Sequence, residues 1–142
     1  MNYVEEQTTI RKFFLNGWDS TRTPVMFAGE PGLTSGTRAL KDEKGLKEWV
    51  RVAINPTGGS QRDMAGPESR VRYQGIVSIN VFVLATTGAS KRAREILDTI
   101  NSKFIFQTQE ALTFLPPQNG LTAETEGLLQ MTLNIPYFWY NI

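Results

Sequence analysis

Arg70-Val71-Arg72-Tyr73-Gln74-Gly75-Ile76-Val77-Ser78-Ile79-Asn80-Val81-Phe82-Val83-Leu84-Ala85 reads as one long β-strand. Val71, Tyr73, Val77, Ile79, Val81 and Val83 fall on one side, and Arg72, Gln74, Ser78 and Asn80 on the other, because successive side chains point to opposite faces of a strand. Its length and apolar face predict a central position in a sheet. Upstream, Lys47–Asn55 alternates as well, with Val50, Val52 and Ile54 against Trp49, Arg51 and Ala53. The polar segment Pro56–Ser69, with Gly58-Gly59 and Gly66-Pro67, then joins the two strands as a hairpin with a long protruding tip. Downstream, Ser90–Phe104 carries Ala93, Ile96, Leu97, Ile100 and Phe104 at helical spacing, with Ser90 as the expected N-cap.

The outer segments complete the pattern. Tyr3–Asn16 reads as a helix with Val4, Ile10, Phe13, Phe14 and Trp18 on one stripe. Asn2 and Glu5 suit a capping pair, Glu5 and Glu6 suit the helix dipole, and Gly17 suits a stop. Pro24–Ala28 and Ala111–Leu115 read as short strands that lie at sheet edges, the second stopped by Pro116-Pro117. Glu126–Tyr140 reads as a long final strand with Leu129, Met131, Leu133, Ile135, Tyr137 and Trp139 on one face. Gly29–Gly45 reads as a long polar loop. Each helix has a single apolar stripe, so each covers something on one side only. The predicted fold class is therefore α+β: an antiparallel-rich mixed sheet with two helices packed on one face and long hairpin loops. The other face is left with Trp49, Ile76, Phe82, Phe138 and Tyr140 among polar residues, more aromatic surface than a monomer needs.

Composition narrows the function classes. A chain of 142 residues is one domain's worth, here expected to span 1–142. Apolar residues at 40% and charged residues at 20% are globular values. A net charge of +1 provides no bulk field to draw in nucleic acid or membrane. With no cysteine there are no disulfides or thiolate metal sites, and with no histidine the commonest general base and metal ligand are missing. The acidic opening Met1–Glu6 does not read as a signal peptide. The apolar run Ile76–Ala85 is too short for a membrane helix and is interrupted by Ser78 and Asn80. A soluble protein made in a cytoplasm is expected.

The possible chemical constellations are weak. Gly29-Glu30-Pro31-Gly32-Leu33-Thr34-Ser35-Gly36-Thr37 lacks the lysine of a phosphate loop, and no helix clearly follows it. Glu30, Asp42, Glu43, Asp63 and Glu68 sit on the two long loops among cations and without EF-hand spacing, which reads as solvated surface charge. No cofactor, metal or catalytic residue is expected. Lys91, Arg92 and Arg94 open the second helix against its dipole. They suit snorkelling surface cations, an acidic neighbour in a partner chain such as Glu95 or Asp98 of an adjacent subunit, or, on a patch this small, DNA only weakly. After Lys103 the chain has no basic residue, only Glu110, Glu124 and Glu126, whereas Arg70–Lys103 is basic. Head-to-tail contacts between subunits could use that asymmetry to close a ring.

Several segments in order resemble the tail terminator (tail completion) proteins of long-tailed bacteriophages. These are the N-terminal helix followed by Thr23-Pro24-Val25-Met26-Phe27, then Glu48-Trp49-Val50-Arg51-Val52 with a Gly-rich loop. Next come Arg72-Tyr73-Gln74-Gly75-Ile76-Val77 leading into Val81-Phe82-Val83, and a Gly-Ala-Ser turn opening a helix with Arg94-Glu95-Ile96-Leu97-Asp98-Thr99-Ile100. A Leu-Thr-Phe-Leu-Pro-Pro strand and the close Ile135-Pro136-Tyr137-Phe138-Trp139-Tyr140 complete the series.

The resemblance implies an α+β sheet with two helices and a homo-hexameric ring at the head-proximal end of the tail tube, assembled in the host cytoplasm and carried in the virion. Such a ring stops tube polymerisation, offers a surface to the head-completion or neck proteins, and lets genomic DNA pass through its lumen without specific binding. It binds no membrane and performs no chemistry. On this reading Gly58–Arg70 reaches an axial partner, and Gly29–Lys44 reaches a neighbouring subunit or the other partner. The candidate interface residues are Trp49, Arg62, Asp63, Arg70, Arg72, Phe82, Lys91, Arg92, Arg94, Phe138 and Tyr140. A head–tail connector ring of the neck and a peptide-binding adaptor that uses a sheet edge are the alternatives. Conversion of Asp42, Glu43 and Asp63 to their amides is expected to leave assembly and function unaltered, as checked by solution mass and binding to tail tubes. Lost function with intact folding would point instead to carboxylate chemistry.

Overall fold

The structure, a computed structural model, describes residues 1–29, 46–61, 71–125 and 127–141. In chain order the elements are α1 (Tyr3–Leu15), β1 (Val25–Phe27), β2 (Glu48–Gln61), β3 (Val71–Leu84), α2 (Ala89–Phe104), β4 (Thr108–Gln109), β5 (Leu112–Phe114), β6 (Gln118–Thr125) and β7 (Leu128–Asn141). They form one mixed, open sheet in the order β1-β2-β3-β7-β5-β4, with β6 also pairing with β7. Among the described residues, β1 alone runs parallel to its neighbour, β2, and the other pairs are antiparallel. The predicted α+β class holds, with both helices on one face.

The alternation in β3 sets the layers. Val77, Ile79, Val81 and Val83 lie on the helix side with Val50 and Val52 of β2 and Met131, Leu133 and Ile135 of β7. There they meet Ile10 and Phe14 of α1 and Ala93, Ile96, Ile100 and Phe104 of α2. Burial of an aliphatic or aromatic side chain of this kind contributes about 1.5–3 kcal/mol, so this layer dominates the fold. The capping pair predicted for α1 is present: the Glu5 amide donates to Asn2 Oδ1 at 2.9 Å and the Asn2 amide to Glu5 Oε2 at 3.1 Å.

Several expectations are corrected. Strand β2 does not end at Asn55 but continues to Gln61. Pro56 is tolerated because β1 covers only Val50–Val52, so this part of β2 is an edge and needs no outward N–H. The register shifts between Pro56 and Gly58, and Gly58 (φ 106°) takes the left-handed conformation that the bulge requires. Helix α2 starts at Ala89 with Gly88 as its N-cap and no side-chain cap bond, so Ser90 is not the cap. The Ala111–Leu115 strand is not an edge, because β4 lies outside it. Strands β4 and β6 were not expected. Val4, placed on the inner stripe of α1 by spacing, is 73% exposed.

Glu6 takes the inner position instead. It is 2% exposed. Its Oε1 accepts from the Tyr137 hydroxyl, and its Oε2 accepts from Trp139 Nε1–H at 2.8 Å. Burial, then the hydrogen bond to Glu6 and the charge of that carboxylate, drive the Tyr137 hydroxyl well above its ordinary pKa, so it remains a donor. Across the ladder Tyr137 faces Gly75. A Cβ at Gly75 would lie 2.3 Å from the Tyr137 hydroxyl oxygen and 2.7 Å from the Asn55 carbonyl oxygen. Only glycine lets that ring lie across β3.

Replacing Glu6 with alanine leaves two buried donors without an acceptor. At roughly 1–3 kcal/mol per unsatisfied group, Glu6→Ala is expected to lower unfolding stability by about 2–6 kcal/mol, read from the urea midpoint. Glu6→Gln, which keeps one acceptor oxygen, should lose clearly less. Equal losses would contradict the role given to the carboxylate.

Candidate interaction site

Where β2 begins and α2 begins, a charged cluster joins the two. Glu48 opens β2, and its side chain is 13% exposed; Arg92 stands one turn into α2 at 24%. The guanidinium grips the carboxylate with both arms, Nε to Oε2 at 2.7 Å and Nη2 to Oε1 at 2.9 Å, a fork geometry that fixes orientation as well as charge. Thr23, buried at the end of the α1–β1 connection, donates its hydroxyl to Glu48 Oε1 at 3.2 Å. Arg22 Nε lies 3.8 Å from the same oxygen, and Arg92 Nη1 reaches Glu95 at 3.4 Å. Burial pulls the Glu48 carboxyl upward. The bond and field of Arg92, the Thr23 hydroxyl and Arg22 outweigh it and hold the group below its ordinary value. Glu48 is thus a fixed anion and not a proton shuttle.

Beside this cluster is a groove of about 650 Å³ with an apolar floor that includes Pro24, Leu46, Val83 and Leu84, and with Arg22 and Lys47 among its rim. Both rim side chains are exposed. With Glu48 already matched by Arg92, the rim presents positive charge.

The face opposite the two described helices divides into three zones. At the groove end, Trp49 and Phe82 are directly paired across β2 and β3 and stack with ring centroids 5.2 Å apart. In the middle, Asn80 Oδ1 accepts from Thr132 Oγ1 at 2.7 Å and Gln130 Nε2 at 3.2 Å, and Ser78 Oγ donates to Asn134 Oδ1 at 3.0 Å. At the far end, the Arg72 guanidinium lies 4.1 Å over the Phe138 ring, which meets Tyr140 edge-on at 5.6 Å. Arg72 Nε is buried without a hydrogen-bond partner among the described residues.

These positions revise the expected interface. Trp49 (1% exposed) and Phe82 (7%) are on the predicted face but are not open surface. Their mutual stacking, with Met26 of β1 and Leu128 of β7 beside them, buries them within the chain. Arg92, for which a snorkelling cation and an acidic neighbour in a partner chain were both open readings, finds Glu48 in its own chain. Lys91 and Arg94 are exposed on α2, and Phe138 and Tyr140 are half-buried beside Arg72. Arg62, Asp63 and Arg70, like the Gly29–Gly45 loop beyond Gly29 and the hairpin tip, lie outside the described residues. Spacing did not reveal Glu48 or Thr23.

No protein-family model matches the chain, and no curated protein matches it. A solved protein structure is similar over 96% of this chain and 96% of its own, with 21% identical residues and a TM-score of 0.62. At that identity the likeness shows the fold.

The depressed Glu48 pKa sets the sign of a pH effect. Its stabilisation is present above the ordinary carboxylate value of 4.5 and is lost as pH falls through the lower folded value. Relative to Glu48→Gln, the native chain is expected to be about 1–3 kcal/mol more stable at neutral pH. That gap should close progressively below the ordinary carboxylate range in acid denaturation series. A gap that stays constant into strong acid would contradict the pairing.

Proposed function

We propose that this chain is a structural virion protein of the tail terminator type. On this reading it assembles as a ring, hexameric as the resemblance implies, on the head-proximal end of a phage tail tube. There it stops tube growth and offers the joining surface for the neck, while genomic DNA passes through the lumen. The work is binding and capping, without chemistry. The observation that carries the reading is the one-sided sheet: the ordered series of segments that resembles terminators is laid out on the two-helix α+β fold that the resemblance implies. Among the described residues, both helices lie on one face of that sheet and the other face carries none. Proteins that cap and join act through such surfaces presented on a rigid scaffold.

Purified protein added to polymerising tail-tube subunits is expected to bind tube ends and halt elongation at substoichiometric amounts. Indifference to tube ends, with binding to neck proteins instead, would favour the connector reading. Indifference to both would remove the virion role.

A further inference from the structure

The register places two dissimilar surfaces level with each other, one at the end of the sheet where β2 begins and the other on the β6 edge. Val25 of β1 pairs with Val50 of β2, Val50 with Val81 of β3, Val81 with Met131 of β7, and Met131 with Thr122 of β6. One straight row therefore runs from the β1 edge to the β6 edge, five strands wide and about 19 Å across at the usual strand spacing. The groove, with its apolar floor and the cations Arg22 and Lys47, lies just before β1, at the end of the sheet where β2 begins and β3 ends, and the row Glu48–Val83–Leu129–Glu124 runs from it to β6. The β6 edge is its chemical opposite. Strand β6 pairs only with β7 among the described residues, and Gln118–Glu124 are exposed throughout. Leu121, at the register shift between Asn119 and Thr122, is 84% exposed, and Glu124 follows it. No cation occurs in the chain after Lys103 to offset that carboxylate.

A free strand edge with a bare leucine is a surface that proteins normally cover. We propose that β6 of one copy covers the groove side of the next, with Leu121 on the apolar floor and Glu124 facing Lys47 and Arg22. The partner is a second copy of this chain, because the two surfaces match in charge and apolar character and stand at the same height. Two different patches at one level make a heterologous contact, which closes into a ring when the rotation allows. The bulge in β6 lifts Leu121 out of the regular ladder, which explains an apolar side chain at a position that buries nothing within the chain. This interface rests on the ring reading above and specifies which surfaces make it.

The chain has no cysteine, so an engineered pair reports without background. Thr21→Cys, on the exposed approach to β1, is combined with Leu121→Cys in the full chain. The protein is oxidised at high concentration and on tail tubes, and the unoxidised native chain is weighed in parallel. The expected result is a disulfide ladder that ends in one closed species, with only dimers from mixed single-cysteine variants. Glu124→Lys should weaken association roughly tenfold, and Glu124→Lys with Lys47→Glu should restore it. Assembly of the native chain with no ladder and no effect of Glu124→Lys would overturn this interface and leave the ring reading standing. Absence of assembly both in solution and on tubes would overturn the ring reading and this interface together.

Discussion

Strict alternation along β3 is the constraint from which the rest of the structure follows. A fourteen-residue strand paired along nearly its whole length on both sides, by β2 and by β7, cannot slip by one residue without turning every valine outward. Locked in that register, it commits one face of three long strands to the helices and leaves the other without a helix among the described residues. The helices are just sufficient for one side: α1 contributes Ile10 and Phe14, and α2 contributes a stripe from Ala93 to Phe104. The opposite face has to manage by itself. It does so with a stacked Trp49–Phe82 pair at one end, a hydrogen-bonded lane of Asn80, Thr132, Ser78 and Asn134 in the middle, and Arg72 on Phe138 at the other end.

Polar groups supply the precision that apolar layers lack. The Glu6 carboxylate orients α1 over the far end of β7 by holding Tyr137 and Trp139. Gly75 leaves room for that ring, and Tyr73 stacks on Trp139 at 4.4 Å. At the other end of the molecule the Glu48–Arg92 fork ties the start of α2 to the start of β2. Two directional contacts at opposite ends therefore orient the helix layer on the sheet. A scaffold held in this way keeps its free edges in a constant relation, which repeated subunit contacts need if a ring is to close and not spiral.

Much of the fold was legible in the sequence because burial leaves a periodic trace. Both helices, the long strands, the central place of β3 and the one-sided packing all follow from apolar spacing. The remainder is invisible for definite reasons. Strand β6 is held by backbone pairing to β7 while its side chains face solvent, so it has no alternation to read. The two residues of β4 follow Phe106 and precede Glu110, which adopt positive φ without the glycine that usually signals it. Glu6 looked like a dipole partner in a first helical turn, since sequence cannot say that two donors wait 131 and 133 residues away. Arg92 and Glu48 are 44 residues apart and meet only once strand order is known. Parity placed Trp49 and Phe82 on the right face, but their burial depends on neighbours from β1 and β7 that parity does not identify.

The proposed ring asks that the groove end of this one-sided sheet and its β6 edge, dissimilar in chemistry, repeat around an axis. Electron microscopy of tail tubes incubated with the protein examines that most directly. The expected image is a single closed ring seated on one end of each tube, with its lumen continuous with the tube channel. Isolated subunits scattered along tube walls, or bare tube ends at saturating protein, would contradict it.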